Sequence, residues 1–556
     1  MNLDIIVFFI YLLAMLGIGL YFTRKASASA DHYLLGNRKI GAPVTAISMQ
    51  SSSMSGFMFM GGPAQAFQEG WHALWYAIGD AGGSIVNLSV LGKRMRRMSQ
   101  LLGALSPVEY LEKRFESTAV RVYGAVVAII FLFAYAFAQF IAAGKALEAM
   151  SGFSYELALV IGIGVIVVYT VLGGFLAVAF SGFVQGIIML IGVSVIGVMV
   201  LPQVGGLSGL NAQLAEIDPT YLSIWGKDLI YYGQWGVILG AVLIYAIGYM
   251  GLPHVSVKHM SMEGGDTTKN AVLWSAGFNQ LFTFTPYILG LSAIIIMPTV
   301  SDPEMVIPEM VYMVFPGILA AILLSAIMAA IMSTCDALLM QAGTTLSRDV
   351  YSRFINKNAS HKQQLLVSRL CILVGGIVGI VVAVYEPPTV FALVIFAFGV
   401  LGNTFMVPYI ASVYSKNANK IGVLCAMVGG SVTNIVWEMF TFQNATGIHP
   451  FLAGVLVSLI AMLIGNKFGT PPSDPILNAF DLAKQNKRIP KKLEKGIFDD
   501  LAPEAQNISR FLETQEAQKD LVERPSESRE SQQKTSLDKA HRRTVGQPEV
   551  RLNLEG

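Results

Sequence analysis

Three short stretches of this 556-residue chain interrupt otherwise apolar surroundings with oxygen-bearing side chains or with helix-breaking Gly and Pro. In the first, Ser48, Gln50, Ser51, Ser52, Ser53, Ser55 and Gly56 crowd together, and Gly61-Gly62-Pro63 follows. In the second, Gly248, Gly251 and Pro253 interrupt an apolar run with aromatic neighbours. The third reads Ala329-Ala330-Ile331-Met332-Ser333-Thr334-Cys335-Asp336, two adjacent hydroxyls with a carboxylate three residues after Ser333 and so on the same helical face. Hydroxyls, and carbonyls freed where a helix breaks, are hard oxygen ligands of the kind that suits an alkali cation. The same Ser and Gly residues also let helices pack closely, so a packing reading stands beside the binding one. No nucleophile with a histidine base is visible, nor any intramembrane metal cluster, so the pattern is not that of an enzyme.

The elements that position these residues are set by composition. Hydrophobic residues make up 54% of the chain and charged ones 13%, where a soluble domain has about a quarter charged. Mean hydropathy is +0.58. The bulk solvent of the fold is therefore lipid. A net charge of +2 provides no global field for nucleic acid. Cys335, Cys371 and Cys425 lie in apolar segments and imply neither a disulfide framework nor a zinc site.

Apolar runs near 3–22, 43–66, 71–92, 122–147, 156–175, 182–201, 233–255, 271–297, 314–346, 366–384, 391–413, 421–441 and 449–466 predict about thirteen transmembrane helices. The first lacks a basic leader and precedes Arg24-Lys25, which reads as a retained span and not a cleaved signal. Every second loop is basic, as at Lys93, Arg94, Arg96 and Arg97 or at Arg348 and Arg353, while the loops between carry acids such as Asp302, Glu304 and Glu309. The positive-inside rule then puts the N-terminus outside and the C-terminus in the cytoplasm, in a multi-pass protein of the inner membrane. The runs lack the alternation of barrel strands. Residues 1–470 read as the transmembrane domain, and the polar stretch 471–556 as a disordered cytoplasmic tail too poor in apolar periodicity to hold an output module.

Unsatisfied backbone is tolerated at membrane depth only where it lines a cavity or binds something, so paired broken helices point to a transporter's binding site. The broken spans are the second and the seventh. Their five-span offset fits a five-plus-five inverted repeat of spans 2–6 and 7–11 in an all-α membrane protein.

At these residues the chain resembles the sodium/solute symporter family over nearly all of 1–470. The likeness is carried by Tyr33-Leu34-Leu35-Gly36-Asn37-Arg38, Ser53-Met54-Ser55-Gly56, Gly173-Gly174-Phe175, Gly251-Leu252-Pro253-His254 and Ala329 to Thr334. It implies a LeuT-like core without cofactor, and a coupling sodium ion held by the carbonyls of Ser51, Met54 and Ala330 and the hydroxyls of Ser333 and Thr334. It also implies a solute cavity at Phe57, Tyr135, Tyr245, Tyr249 and Pro253, whose aromatic residues otherwise serve ordinary helix packing. Within the family, Val306-Ile307-Pro308, Glu386-Pro387-Pro388 and Gly465 to Thr470 resemble the sodium/pantothenate symporters, and the cavity resembles the sodium/proline symporters. The solute implied is a small carboxylate-bearing molecule, a proline-like amino acid or pantothenate, carried by alternating access. A sodium-independent facilitator or channel, or a transporter-like sensor, is the alternative.

The chain departs from its relatives in two aspartates: Ser53 and Gly182 stand where the resemblance leads one to expect acids. Asp336 stands where related sialic acid symporters place a second sodium, and is expected to take a second cation or a proton, or else to sit neutral or snorkel near a helix end. Asp80 has no role that the resemblance assigns, and packing or hydrogen bonding accounts for it as well. Lys145 and Glu148 lie near a span end and can reach the interface.

Overall fold

The computed structural model describes residues 3–26, 29–385 and 389–485. The described residues all fall within one compact unit; a second unit, 500–556, lies outside the described residues, as do Glu386-Pro387-Pro388. The described residues are almost entirely helical, and every apolar run of the sequence falls on helix. Seven of these helices are long and apolar enough to cross a membrane, and three shorter apolar ones accompany them.

Helix α1 (Leu3–Ala26) buries Phe8, Tyr11, Leu12 and Met15 and exposes Phe9, Ile10, Leu13 and Leu20. An apolar outer face of this kind is at home in lipid. The second span is two helices, α2 (Ala42–Met54) and α3 (Gly61–Glu69). They are parted at Ser55, whose φ of 36° and ψ of −178° no helix accommodates. The chain continues through α4 (Leu74–Asn87), α5 (Pro107–Phe115) and α6 (Thr118–Ser151).

The fifth and sixth runs meet without a loop. Helical residues run from Tyr155 to Val200 as α7, divided at Gly174 with φ 63° and ψ −174°. A side chain would resist that conformation, so glycine replaces the expected connection. The seventh span breaks as its Gly and Pro content predicts, into α8 (Trp235–Ala246) and α9 (Pro253–Ser261). Leu252 is extended and Pro253 opens α9, where its missing N–H costs nothing. Then follow α10 (Thr267–Phe282), α11 (Thr285–Ile296), α12 (Gly317–Thr344), α13 (His361–Val384), α14 (Val390–Tyr414), α15 (Lys420–Met439) and α16 (Pro450–Gly465). Helix α12 packs against α7, α6 and α2, and α8 against α4, so both broken spans lie within the bundle.

The expected tail is corrected at its start. Ser473 opens α17 (Asp474–Lys484), which buries Ile476, Ala479, Phe480, Leu482 and Ala483. Arg97 donates to the Leu482 carbonyl at 3.0 Å, and Lys416 pairs with Asp481 at 2.7 Å. The apolar residues recur at helical spacing, but one short amphipathic helix is diluted by the polar stretch that follows it. Residues 486–556, the rest of that expectation, lie outside the described residues.

Candidate functional site

The end of α2 supplies the first oxygens. The last carbonyls of a helix have no partner within it, and here the chain turns away: the Gly56 N–H goes to Gln139 Oε1 at 2.8 Å and the Met58 N–H to the Ser55 carbonyl at 3.2 Å. Continued helix would have spent those donors on Ser52 and Met54. Across from this end stands the middle of α12. Ser333 Oγ lies 2.8 Å from the Ser51 carbonyl and 2.9 Å from that of Ala330, and Thr334 Oγ1 lies 3.3 and 3.4 Å from the same two oxygens. Four of the five expected ligand groups thus converge. Met54 ends the same helix one turn beyond Ser51. Each hydroxyl keeps acceptor lone pairs beside its proton, so turning the O–H bonds outward leaves oxygens directed at a common point. A Cβ on Gly182 would lie 3.2 Å from Ser51 Oγ, so the sixth run packs closely against α2 at Ser48 and Ser51.

Asp336 sits one turn along α12 from Ser333 and is fully buried. Its Oδ1 accepts the Thr170 hydroxyl at 2.9 Å, and its Oδ2 has no hydrogen-bond partner among the described residues. It lies well within α12, so the snorkelling reading does not hold. The Tyr169 hydroxyl beside it donates to the Met332 carbonyl at 3.3 Å.

The expected cavity residues gather on the other side of the break in the second span. Phe57 lies 5.6 Å from Tyr245 and 5.4 Å from Phe391 between ring centroids, and Tyr245 lies 5.7 Å from Tyr249. The Tyr135 hydroxyl donates to Ser55 Oγ at 3.4 Å, and the Tyr135 ring lies 6.0 Å from that of His254, the neighbour of Pro253. All four aromatic residues are buried. Rings from both broken spans and from α6 therefore enclose the peptide that starts at Ser55.

Known proteins decide what such an arrangement belongs to. The sequence model described as Sodium:solute symporter family matches residues 33–430. The chain belongs to that family. The osmoregulated proline transporter OpuE of Bacillus subtilis (strain 168) is 29% identical over 87% of this chain and 99% of its own. The high-affinity proline transporter PutP of the same organism is 29% identical over 84% of this chain and 98% of its own. Among solved structures, a substrate-bound outward-open state of a Na+-coupled sialic acid symporter shares the fold, with a TM-score of 0.69 at 20% identity over 84% of this chain and 98% of its own. Mhp1, a nucleobase-cation-symport-1 family transporter, aligns with a TM-score of 0.50 at 15% identity over 81% of this chain and 98% of its own. As a sodium:solute symporter, the protein couples solute import to sodium.

Several polar residues of this symporter escape a reading of motifs. Lys258 lies just past the seventh apolar run, where charge counting expects a basic loop, yet α9 buries it, and its ammonium donates to the Ser48 carbonyl and, at 2.7 Å, to Ser52 Oγ. Gln50 bonds Ser84, Ser275 and Asn279, which clamps α2 to α4 and α10. Gln139 was detectable as an amide in the middle of a membrane-length apolar run.

Ion pairs gather at both ends of α6. On the face of the basic loops, α5 sends Glu109 to Arg348 at 3.0 Å and Glu112 to Arg353 at 2.9 Å, while Arg121 meets Asp349 at 3.0 Å. Burial opposes ionisation of Glu109, but Arg348, Lys113 and Arg121 together hold its carboxyl well below the usual range. At the other end of α6, Lys145 pairs with Asp302 and Glu304, each at 2.6 Å, beside a cavity of about 650 Å³ that Glu148, Glu156 and Glu309 also line.

Proposed function

We propose that the oxygen set between α2 and α12 is the coupling-ion site, with sodium held by the carbonyls of Ser51, Met54 and Ala330 and the hydroxyls of Ser333 and Thr334. The observation that carries this is the approach of the Ser333 and Thr334 hydroxyls to the Ser51 and Ala330 carbonyls at 2.8 to 3.4 Å. A sodium ion there would tie the broken second span to α12 and complete the aromatic cavity of Phe57, Tyr135, Tyr245, Tyr249 and Pro253. Solute affinity then rises with sodium, and sodium affinity with solute, by the same factor. The solute is a small carboxylate-bearing molecule. The proline transporters among its relatives favour a proline-like amino acid over pantothenate, as the cavity residues do.

The membrane arrangement that fits is about thirteen spans in the inner membrane, N-terminus outside, with alternating access built on the five-plus-five repeat. Asp336 takes part as ligand of a second cation or as proton acceptor. Uptake by purified protein in liposomes tests the reading. An inward sodium gradient should drive accumulation of labelled L-proline or a competing solute, and collapse of the gradient should abolish it. Equal uptake without sodium would make the protein a facilitator.

A further inference from the structure

Asp80 is a buried carboxylate that the proposed coupling does not use. It is 2% exposed, in α4, which is otherwise mostly apolar and small in this stretch. Its Oδ1 accepts the Tyr249 hydroxyl at 2.6 Å, and its main-chain carbonyl accepts Asn279 Nδ2 at 2.9 Å. Its Oδ2 has no hydrogen-bond partner among the described residues, and no lysine or arginine among them pairs with it.

The surroundings of that oxygen are aromatic. Tyr249 is a member of the ring cluster described above, and the Tyr135, Tyr245 and Tyr287 phenols lie within electrostatic reach of the carboxylate. The hydroxyls of Tyr245 and Tyr287 likewise lack partners among the described residues. The approach of α4 to the seventh span is close enough that a Cβ on Gly83 would lie 2.2 Å from the Tyr245 carbonyl and 2.6 Å from the Tyr249 ring. The backbone is thus fitted to bring the Asp80 turn against these two tyrosines.

A carboxylate buried with half its acceptor capacity unmet is costly, and inside a membrane such a group marks a functional site. Holding Tyr249 does not require a charge, because an asparagine oxygen would accept the same hydroxyl. The charge has a use if the ligand is a cation. A protonated nitrogen supplies the missing donor to Oδ2 and the missing countercharge, and the faces of neighbouring tyrosines attract it further. A plain carboxylate gains none of these and meets like charge.

We infer that Asp80 binds the protonated nitrogen of the transported solute and so selects amine-bearing solutes over plain carboxylates. The inference rests on the symport reading of the same cavity. Asp80 is the counter-ion of the solute, facing it from α4, while the two broken spans supply the aromatic wall. The opposite, carboxylate end of a zwitterion would then lie toward backbone donors freed at the breaks.

Charge displacement on liposome-coated sensors tests this with wild-type protein, Asp80→Asn and Tyr249→Phe. The probes are sodium alone, then L-proline, L-alanine and L-lysine against cyclopentanecarboxylate, propionate and hexanoate, which lack the nitrogen, and pantothenate. Wild type should respond to at least one amino acid. One sodium carried with a monoanion moves no net charge, so the nitrogen-free analogue is read by competition and should need a concentration at least ~30-fold higher to suppress that response. Asp80→Asn should weaken the amino acid response about 30-fold or more, the usual scale for removing one member of a buried charge pair, and erase the preference over the analogue. Its sodium-alone signal should persist. Tyr249→Phe removes the same hydrogen bond but keeps the charge, so it should retain the preference. A wild type that treats acid and amino acid alike, or responds to sodium but to no amine, overturns the inference and leaves symport standing. So does a Tyr249→Phe variant that loses the preference as Asp80→Asn does, since that would make Asp80 a mere prop for Tyr249. Absence of any sodium-evoked charge movement overturns the symport reading and this inference with it.

Discussion

The Ser333 hydroxyl lies 2.8 Å from the Ser51 carbonyl, joining residues 282 apart in sequence on two different helices. The carbonyl is available because α2 stops at Met54, and the hydroxyl reaches it because α12 runs unbroken past the same level. One helix has to break and the other must not. Ser333→Ala or Thr334→Ala should therefore raise the sodium concentration for half-maximal uptake roughly tenfold, the effect of about 1.4 kcal/mol, with expression little changed. Wild-type sodium dependence in either variant would remove that hydroxyl from the ion's ligands.

Tyr135 and Tyr249 test the aromatic wall. Truncation of either to alanine deletes buried contact area and should raise the apparent KM for solute about tenfold or more. Sodium affinity should change only through coupling. Unchanged solute kinetics in both variants would return the two rings to ordinary packing.

The breaks were legible because Gly248, Gly251 and Pro253, and the serine run that ends at Gly56, interrupt runs that are otherwise continuously apolar. The proposed cation ligands come only from family resemblance, since hydroxyls on α12 do not announce which carbonyl they will meet. Three things stayed hidden for physical reasons. Gly174 turns the chain within one residue, so a hydropathy count expects a loop there. Helix α17 owes its position to contacts such as Arg97 with Leu482, made far away in sequence. Lys258 looks like a loop residue because charge counting assumes that a lysine near a span end reaches water.

Lys258 invites its own experiment. Its ammonium joins α9 to α2 through the Ser48 carbonyl and Ser52 hydroxyl, next to the proposed ion site. Replacement by methionine keeps the volume and relieves the cost of burying a charge, which offsets much of the lost bonding. The variant should remain folded, within about 1 kcal/mol of wild type, yet transport far more slowly because the two broken spans are no longer tied. Near-normal transport would show that the tie is dispensable, and a large drop in melting temperature would show that its role is stability alone.

The proposed part of Asp336 in coupling is tested by the charge moved per solute. One sodium entering across 100 mV contributes roughly 2.3 kcal/mol, and a tenfold gradient about 1.4 kcal/mol, so one ion per neutral zwitterion supports roughly 500-fold accumulation. A second cation bound at Asp336 would square that limit for sodium and would add a second charge per solute moved. The carboxylate has the means: it is buried, it uses one oxygen on Thr170, and its other oxygen is without a hydrogen-bond partner among the described residues. Asparagine keeps the shape and can still accept the Thr170 hydroxyl, but cannot supply the charge. Asp336→Asn should therefore halve the charge moved per solute and lower steady-state accumulation toward the single-ion limit, while solute exchange persists. If the second ion is a proton, the wild type alone should acidify the liposome interior during uptake. A variant that accumulates solute like wild type, with the same charge per solute, would leave Asp336 a neutral, packed carboxyl with no part in coupling.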